Sequence, residues 1–210
     1  LYDVTEGALY VGGVDVKKYD LKTLRDSVAM VLQKNELFSG SVADNLRWGD
    51  KEATREECMH ACDLACASEF VEKLPKGYDT YIEQGGTNVS GGQKQRLSIA
   101  RAIAKHPQVF IFDDSFSALD YKTDVTLRRA LAEKTSGSTV LIVAQRISTI
   151  LHAEQIIVLD EGKVAGKGTH AELLRNCPVY REIAESQLSR KELEAALNEQ
   201  TDGKEDQIHG

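Results

Sequence analysis

The stretch Asn88–Asp120 constrains the fold of this chain more than any other part of its sequence. Ser90 is followed by two glycines and then by a long helical pattern of apolar residues. A serine at this place is typical of a helix start, and the glycines leave the first backbone amides of that helix uncovered. Such a helix end binds anions, and phosphate above all. We therefore predict a phosphate-binding helix terminus at Ser90.

A second feature of this stretch is the segment Val109–Asp114, which reads Val-Phe-Ile-Phe-Asp-Asp. Its apolar run is too short to span a membrane and too unbroken for a half-exposed strand, so it predicts a central parallel strand. Asp113 and Asp114 come at the carboxyl end, where open α/β sheets bind their ligands. Because carboxylates are suitable ligands for Mg²⁺, this strand end is a candidate metal site.

Three motifs in this order resemble those of ABC-type ATPases. Ser90–Arg96 resembles their signature motif, Val109–Asp114 their Walker B strand and Ser117–Asp120 their D-loop. The resemblance implies an α/β fold, namely the P-loop NTPase (RecA-like) parallel-sheet core with an inserted α-helical subdomain. It also implies ATP and Mg²⁺ as cofactors.

The same resemblance divides the chain into four parts. Residues 1–34 would be a partial RecA-like core that ends at the Q-loop, and residues 35–105 the helical subdomain with the signature motif. Residues 106–176 would supply Walker B, the D-loop and the switch loop, and residues 177–210 a C-terminal helix and polar tail. The sequence starts at Leu1 without Met and contains no Gly-x-x-x-x-Gly-Lys-Ser/Thr. We therefore expect an N-terminal truncation just after Walker A, and the chain as given would then be unable to bind its own nucleotide.

Composition restricts the possible partners. The net charge is −7 and no basic stripe is present, which argues against nucleic acid. No apolar run reaches the length of about 18 residues that a membrane helix needs, and no signal peptide is evident. The resemblance implies a domain at the cytoplasmic face of the cell membrane, joined N-terminally to a transmembrane domain. It further implies a second ABC ATPase domain as a partner, on a different chain.

The resemblance assigns the predicted residues to two nucleotides, because in ABC ATPases each nucleotide is sandwiched between two domains. The signature residues would contact the ATP of the partner, and they are Ser90, Gly91, Gly92 and Gln93. The D-loop consists of Ser117, Ala118, Leu119 and Asp120. On the chain's own nucleotide, Asp113 would hold Mg²⁺, and the Q-loop residue Gln33 would complete the coordination.

Two catalytic positions depart from the family pattern. Asp114 stands where the family usually has a glutamate that orients or deprotonates the attacking water, and the missing methylene withdraws the carboxylate by about 1.5 Å. Misplacement by about 1 Å at a reacting centre can cost roughly 100-fold in rate. Gln145 stands where the switch histidine would be, and an amide cannot carry a positive charge or relay a proton as imidazole does.

This pattern resembles the degenerate half of a heterodimeric ABC exporter, in which MgATP binding and hydrolysis drive export and the chain's own site is slow. One alternative is a regulatory partner that binds ATP without hydrolysing it. A second alternative is a soluble ABC ATPase of DNA repair or translation, for which long coiled-coil insertions or basic linkers are expected. The sequence contains neither.

Local patterns predict the remaining elements. We expect a βαβ-like opening with a helix at Leu21–Ser27, an entirely helical region over about residues 35–105, and a buried strand at Ser138–Val143. Within the helical region a helix would span Thr54–Ala67, with Thr54 as N-cap and Glu57 as its capping-box partner. Thr169 and Glu172 would cap a further helix in the same way. Strands at Gln155–Leu159 and Lys163–Lys167 would complete the same sheet, followed by one helical tail from Tyr180 to Leu197.

Several side chains have two interpretations. Cys58, Cys62 and Cys66 recur at helical spacing, which fits either a metal site or a buried stripe of small residues, and we interpret them as core. Trp48 would be a core or boundary residue or else a docking aromatic. Glu83, in a segment that resembles the exporter X-loop, would contact the transmembrane domain or remain a solvated carboxylate.

Overall fold

A computed structural model describes residues 2–135 and 137–198, which belong to two units that meet in the chain between Val143 and Ala144. The first unit begins with a hairpin of strands β1, Tyr10–Val11, and β2, Val14–Asp15. Gly12 and Gly13, at φ +55° and +79°, form its two-residue turn, because glycine tolerates the left-handed backbone that such a turn needs.

The expected βαβ opening is therefore wrong. Within the described residues β1 and β2 pair only with each other, since the tight glycine turn folds β2 back onto β1. The predicted helix at Leu21–Ser27 is confirmed as α1, and strand β3 follows at Val28–Val31.

The next region is mostly helical but contains one antiparallel strand pair, so the prediction of an entirely helical segment is wrong. Its elements in chain order are β4 (Gly40–Ser41), α2 (Val42–Arg47), α3 (Arg55–Leu64), α4 (Ser68–Val71) and β5 (Tyr81–Ile82). The strands β4 and β5 pair with each other and bring the two ends of this region together. Thr54 caps α3, and Glu57 closes a capping box, as the spacing of these two residues predicts.

The main sheet of the first unit is parallel. The remaining elements of this unit are α5 (Gly91–Ala104), β6 (Val109–Asp113), α6 (Tyr121–Lys134) and β7 (Thr139–Val143). The strand order is β3-β6-β7, so β6 is the central strand, as its apolar run predicts. Because all three strands are parallel, their carboxyl ends lie at the same end of the sheet.

Strand β7 is exposed, contrary to the expectation of a second buried strand. Leu141 and Val143 are 52% and 51% exposed. The physical reason is that β7 is an edge strand, which pairs only with β6 in the part of the chain that the structure describes. The core of this unit instead fills the space between β3, β6 and the helices α2, α3 and α5.

The cysteine stripe is part of this core. Cys58 and Cys62 are fully buried on α3, and burial raises the pKa of the Cys62 thiol to about 12. The predicted helix through Ala67 is too long, because α3 ends at Leu64 and Cys66 adopts a positive φ beyond it. All four cysteines are free thiols, which agrees with the interpretation as packing residues.

The second unit is built from short helices and one strand pair. Its elements are α7 (Ile147–Ile150), β8 (Ile156–Asp160), β9 (Lys163–Gly168), α8 (His170–Asn176), α9 (Pro178–Gln187) and α10 (Arg190–Asn198). The strands β8 and β9 form an antiparallel sheet of their own and do not extend the parallel one, because a short turn at Glu161 and Gly162 pairs them with each other.

The predicted single helical tail is interrupted. Leu188 is extended, at φ −108° and ψ 149°, and ends α9. Ser189 then starts a new helix, since Glu192 accepts hydrogen bonds from the Ser189 amide and hydroxyl at 2.8 and 2.6 Å. The predicted polar end, residues 199–210, lies outside the described residues. No helix that the structure describes combines the length and apolar character needed to cross a bilayer.

Candidate functional site

The start of α5 has the geometry of an anion-binding helix end. The Ser90 hydroxyl accepts a hydrogen bond from the Gln93 amide at 3.3 Å, and the Gln93 side chain accepts one from the Ser90 amide at 2.9 Å. This capping box leaves the amides of Gly91 and Gly92 without an intrahelical partner, as at any helix start. Gly91 is exposed, and a Cβ atom added to it would meet nothing within 4 Å, so the backbone at the start of α5 is open there.

The predicted D-loop, residues 117–120, lies beside this helix start. A Cβ atom added to Gly92 would lie 3.6 Å from the carbonyl oxygen of Ala118. Ala118 is exposed, whereas Leu119 is buried and holds the loop in place. The structure therefore brings the predicted signature and D-loop residues of the same chain together.

Asp120 ends the D-loop and caps α6. Its carboxylate accepts hydrogen bonds from the Thr123 hydroxyl at 2.7 Å and the Thr123 amide at 3.0 Å. These hydrogen bonds, the hydroxyl first, lower the pKa of Asp120 below its usual value. Ser117, at the other end of the loop, donates its hydroxyl to the carbonyl oxygen of Asp114 at 2.9 Å. The D-loop is thus tied at one end to the acidic strand end and at the other to α6.

The acidic strand end is assembled from distant parts of the chain. Asp113 is the last residue of β6 and pairs with Val143, and the next residue, Asp114, adopts a left-handed backbone at φ +43°. The Gln33 side-chain amide donates to the Asp114 carboxylate at 2.9 Å, and the Asp114 backbone amide donates to the Val143 carbonyl at 2.9 Å. The predicted Q-loop glutamine and the predicted catalytic carboxylate are therefore in direct contact.

The donor set at this edge suits a hard cation. The Asp113 carboxylate and the carboxamide oxygen of Gln33 are the oxygen ligands that Mg²⁺ prefers, and Mg²⁺ keeps several waters and substrate oxygens besides one or two carboxylates. Among the residues that the structure describes, no group of three or more histidine, cysteine, aspartate or glutamate residues is arranged to hold a metal.

The segment after Gln33 is bound directly to α5. The Asn35 side-chain amide donates to the Gln95 carboxamide oxygen, and Arg101 donates to the Glu36 carbonyl at 3.0 Å. The Arg101 guanidinium lies over the Phe38 ring, 5.5 Å from its centroid, and burial lowers its pKa. These contacts join the Q-loop segment to the helix that begins at Ser90.

Motif reasoning missed this connection, although a signal was present. Gln95 lies at helical spacing with Ile99 and Ile103 on the buried face of α5. A polar residue on an apolar helix face must find a partner when it is buried, so this position could have predicted a buried hydrogen bond, although not which residue makes it.

Two exposed residues of the first unit, Trp48 and Glu83, each have a structural interpretation and a docking interpretation. Trp48 is 62% exposed and packs on Phe38 with 4.5 Å between ring centroids, so it is not a core residue. Glu83 is exposed, and its carboxylate accepts a hydrogen bond from the Thr87 hydroxyl at 2.6 Å. The contact of Glu83 with a transmembrane domain stays a prediction.

Gln145, the predicted switch residue, lies in the second unit. Its side chain is exposed, and its backbone carbonyl accepts a hydrogen bond from the Gln187 side-chain amide at 2.9 Å. The carboxamide oxygen of Gln187 accepts from the Ile147 amide at 2.9 Å. No local pattern signals this contact, because its partners lie 42 and 40 residues away in the sequence.

Comparisons with known proteins confirm the resemblance to ABC-type ATPases. The family model described as ABC transporter matches residues 1–117. An uncharacterized ABC transporter ATP-binding protein of Mycobacterium tuberculosis is 47% identical over 190 residues, which are 89% of this chain and 32% of that protein. The ABC transporter B family member 4 of Dictyostelium discoideum is 39% identical over 191 residues, which are 91% of this chain and 25% of that protein.

A solved structure has the same fold. The structure of a bacterial Atm1-family ABC exporter with ATP bound superimposes with a TM-score of 0.86 at 35% sequence identity, covering 90% of this chain and 33% of that one. The chain thus spans about a third of the length of this structure and of its Mycobacterium tuberculosis relative. Its parallel sheet and helices have the P-loop NTPase fold. The chain belongs to the ABC transporter family and corresponds to its ATP-binding domain.

Proposed function

We propose that this chain is part of an ATP-hydrolysing domain that couples MgATP binding and hydrolysis to export across a membrane. The likeness to an Atm1-family exporter and the uncovered amides at the start of α5 support this proposal. The transmembrane domain would be fused N-terminally, and the domain would work at the cytoplasmic face of the membrane. The four-part division at residues 34, 105 and 176 belongs to the same proposal.

The signature would act on the nucleotide of a partner domain. The amides of Gly91 and Gly92 and the Ser90 hydroxyl would stabilise the negative charge that develops on the transferred phosphoryl group. Because the Gln93 carboxamide oxygen is bonded to the Ser90 amide, Gln93 would hold the Ser90 backbone in place. The D-loop beside Gly92 would place this helix start against the partner.

The acidic strand end would act on the chain's own nucleotide. Mg²⁺ would be held by Asp113 and Gln33 and would neutralise charge on the phosphate oxygens. Asp114 would orient the attacking water, and Gln33 would fix the carboxylate through the hydrogen bond of 2.9 Å. This single contact carries the assignment, because it joins two predicted site residues that lie 81 positions apart in the sequence.

The chain's own site would be slow. The Asp114 side chain is shorter than that of a glutamate by about 1.5 Å, which withdraws its carboxylate from the attacking water. Gln145 would contact a phosphate oxygen without supplying charge. The partner would therefore be a different chain that carries a competent site.

The departures from the family pattern at Asp114 and Gln145 also favour a second candidate function. In that case the domain binds MgATP, closes with its partner and regulates it without turnover of its own. The two functions differ in whether the chain's own nucleotide is ever hydrolysed.

An experiment on the full-length heterodimer tests the first proposal. The double variant Asp114→Glu and Gln145→His is compared with the natural pair, in a background in which the partner's own catalytic carboxylate is removed. We expect turnover at this chain's site to rise by about tenfold or more. The glutamate places its carboxylate closer to the attacking water, and the histidine supplies a side chain that can carry charge and relay a proton. Each single variant serves as a matched control with a smaller gain.

Unchanged turnover in the double variant would show that these two residues do not limit this site. Turnover that is undetectable with the natural residues but measurable in the double variant would favour the regulatory function. The full reading frame gives an independent check, since an exporter requires membrane-spanning segments in the same or a neighbouring chain.

A further inference from the structure

The carboxamide of Gln187 bridges the backbone on both sides of Arg146. Its nitrogen donates to the Gln145 carbonyl at 2.9 Å, and its oxygen accepts from the Ile147 amide at 2.9 Å. One planar group thus bonds to a carbonyl and to the amide two residues later, which is how a neighbouring β-strand would bond to the same backbone. This pairing fixes the direction of the chain between residues 145 and 147.

Gln187 also replaces a cap that the local sequence lacks. Helix α7 begins at Ile147, and the preceding residue Arg146 makes no capping hydrogen bond with its side chain. The Ile147 amide is one of the first amides of a helix and has no intrahelical partner. The oxygen of Gln187 satisfies this donor from a different helix, so the end of α9 determines where α7 starts.

The position of Gln187 is itself well defined. Helix α9 is anchored by Tyr180 and Ala184, which are 2% and 0% exposed, and the Tyr180 hydroxyl is hydrogen-bonded to His170 Nδ1 at 2.7 Å. The Arg181 side chain donates to the Leu174 carbonyl at 2.6 Å and ties α9 to α8. Gln187 is the last residue of this anchored helix, so its carboxamide starts from a fixed backbone.

We propose that Gln187 is a positioning residue for Gln145 in the ATPase reaction. This inference rests on the proposed function, in which the Gln145 side chain contacts the chain's own nucleotide. Gln187 does not touch the nucleotide. It holds the backbone from which the Gln145 side chain projects, and thereby makes helix α9 a determinant of turnover at this site.

The test uses the full-length transporter with its partner, in which hydrolysis is measured at this chain's site. Gln187→Met keeps the length of the side chain and removes both hydrogen bonds. Gln187→Glu keeps an oxygen for the Ile147 amide but sets a second acceptor against the Gln145 carbonyl. Glu185→Met, at an exposed position of the same helix, is the matched control.

We expect both Gln187 variants to lower kcat about tenfold with KM changed by less than about twofold, since orientation and not binding is lost. Hydrogen exchange at the Ile147 amide should accelerate in Gln187→Met and stay slow in Gln187→Glu, because only the latter keeps the acceptor. Glu185→Met should leave both kcat and exchange unchanged.

A double-variant cycle separates positioning from general damage. In a Gln145→Ala background, Gln187→Met should lower kcat no further, because the side chain that it positions is gone. An equal loss in both backgrounds, or no loss from Gln187→Met while Gln145→Ala is slow, would overturn the inference. If Gln145→Ala alone leaves turnover unchanged, the proposed role of Gln145 fails and the inference falls with it.

Discussion

The two ends of the Asn88–Asp120 stretch are built in different ways. At Ser90 the defining hydrogen bonds join residues three positions apart, and the helix start organises itself. At Asp114 they reach Gln33, 81 residues away, and the neighbouring Ser115 hydroxyl donates to Val31, 84 residues away, at 2.8 Å. A local sequence pattern is therefore enough to specify the first site, whereas the second exists only once the parallel sheet has formed.

The largest expected effect concerns the helix start at Ser90, whose hydrogen bonds are local in sequence. We predict that Gly92→Leu lowers ATP hydrolysis by the assembled transporter by about 100-fold or more, because the side chain covers the amides that would stabilise the phosphoryl group. A Cβ atom at this position would lie at an ordinary distance of 3.6 Å from the Ala118 carbonyl, so the fold should persist. Steady-state ATPase and thermal unfolding measure the two quantities.

Gly92→Ala is the matched control, with an intermediate loss and an unchanged melting temperature. Full activity in Gly92→Leu would mean that no anionic group approaches this helix start.

The next effect tests the end that depends on distant contacts. Gln33→Leu removes the hydrogen bond to Asp114 and should lower turnover at this chain's site about tenfold, because the carboxylate loses its fixed orientation. Nucleotide trapping at the partner's site, which the signature would serve, should stay unchanged. Lys34→Leu, at the adjacent exposed position, is the control.

If Gln33→Leu affects both sites equally, the two ends are not independent. The contacts of Asn35 and Arg101 with α5 would then be the connection to examine, since they bind the segment after Gln33 to the signature helix.

The same contrast explains how much of the fold could be predicted from the sequence. The capping boxes at Thr54 and Thr169 and the helix start at Ser90 are confirmed, since each depends on residues three positions apart. The central strand β6 is confirmed because its continuous apolar run requires burial on both faces.

Errors occurred where neighbours in space decide the outcome. Strand β7 has an apolar sequence, yet its exposure depends on whether a second strand pairs with it, and no local pattern reports that. The pairing of β4 with β5 joins residues about forty positions apart. Each strand has only two residues and lies next to helices in the sequence, so no local pattern predicts the pair. The partners of Gln95 and Gln187 escaped for the same reason.

A smaller effect compares the capping boxes at Ser90 and Thr54, which have the same pattern of backbone hydrogen bonds. Ser90→Ala and Thr54→Ala each remove the oxygen of a capping box, and each should lower the free energy of unfolding by about 1 kcal/mol. Only Ser90→Ala should also reduce ATPase activity, by several-fold, because its hydroxyl would contact the partner's nucleotide. Chemical denaturation and ATPase assays check both statements.

Thr54→Ala thus measures the purely structural share of the Ser90 change. If the two variants have equal ATPase activity, Ser90 acts only as a helix cap. The phosphate would then be contacted by the glycine amides and not by the Ser90 hydroxyl.

The smallest expected effect compares two aspartates that cap helices through a threonine three residues later. Asp120 accepts hydrogen bonds from Thr123, and Asp20 accepts them from Thr23, at 3.1 Å or less in each case. These bonds lower the pKa of both carboxyls below the ordinary value of 3.8, so each contributes stability that is present above that pH and is lost as the pH falls through the folded pKa.

We therefore expect Asp120→Asn and Asp20→Asn to lower the melting temperature slightly near neutral pH, and this difference from the natural chain to disappear as the pH falls through the folded pKa of each carboxyl. Melting curves recorded from neutral to acid pH measure this. Because both carboxyls are exposed, the shifts should be similar and small. A larger response at Asp120, or one at a different pH, would mean that its carboxylate interacts with more than its own helix. The contacts between residues distant in sequence that hold Asp114 would then extend to the end of the predicted D-loop.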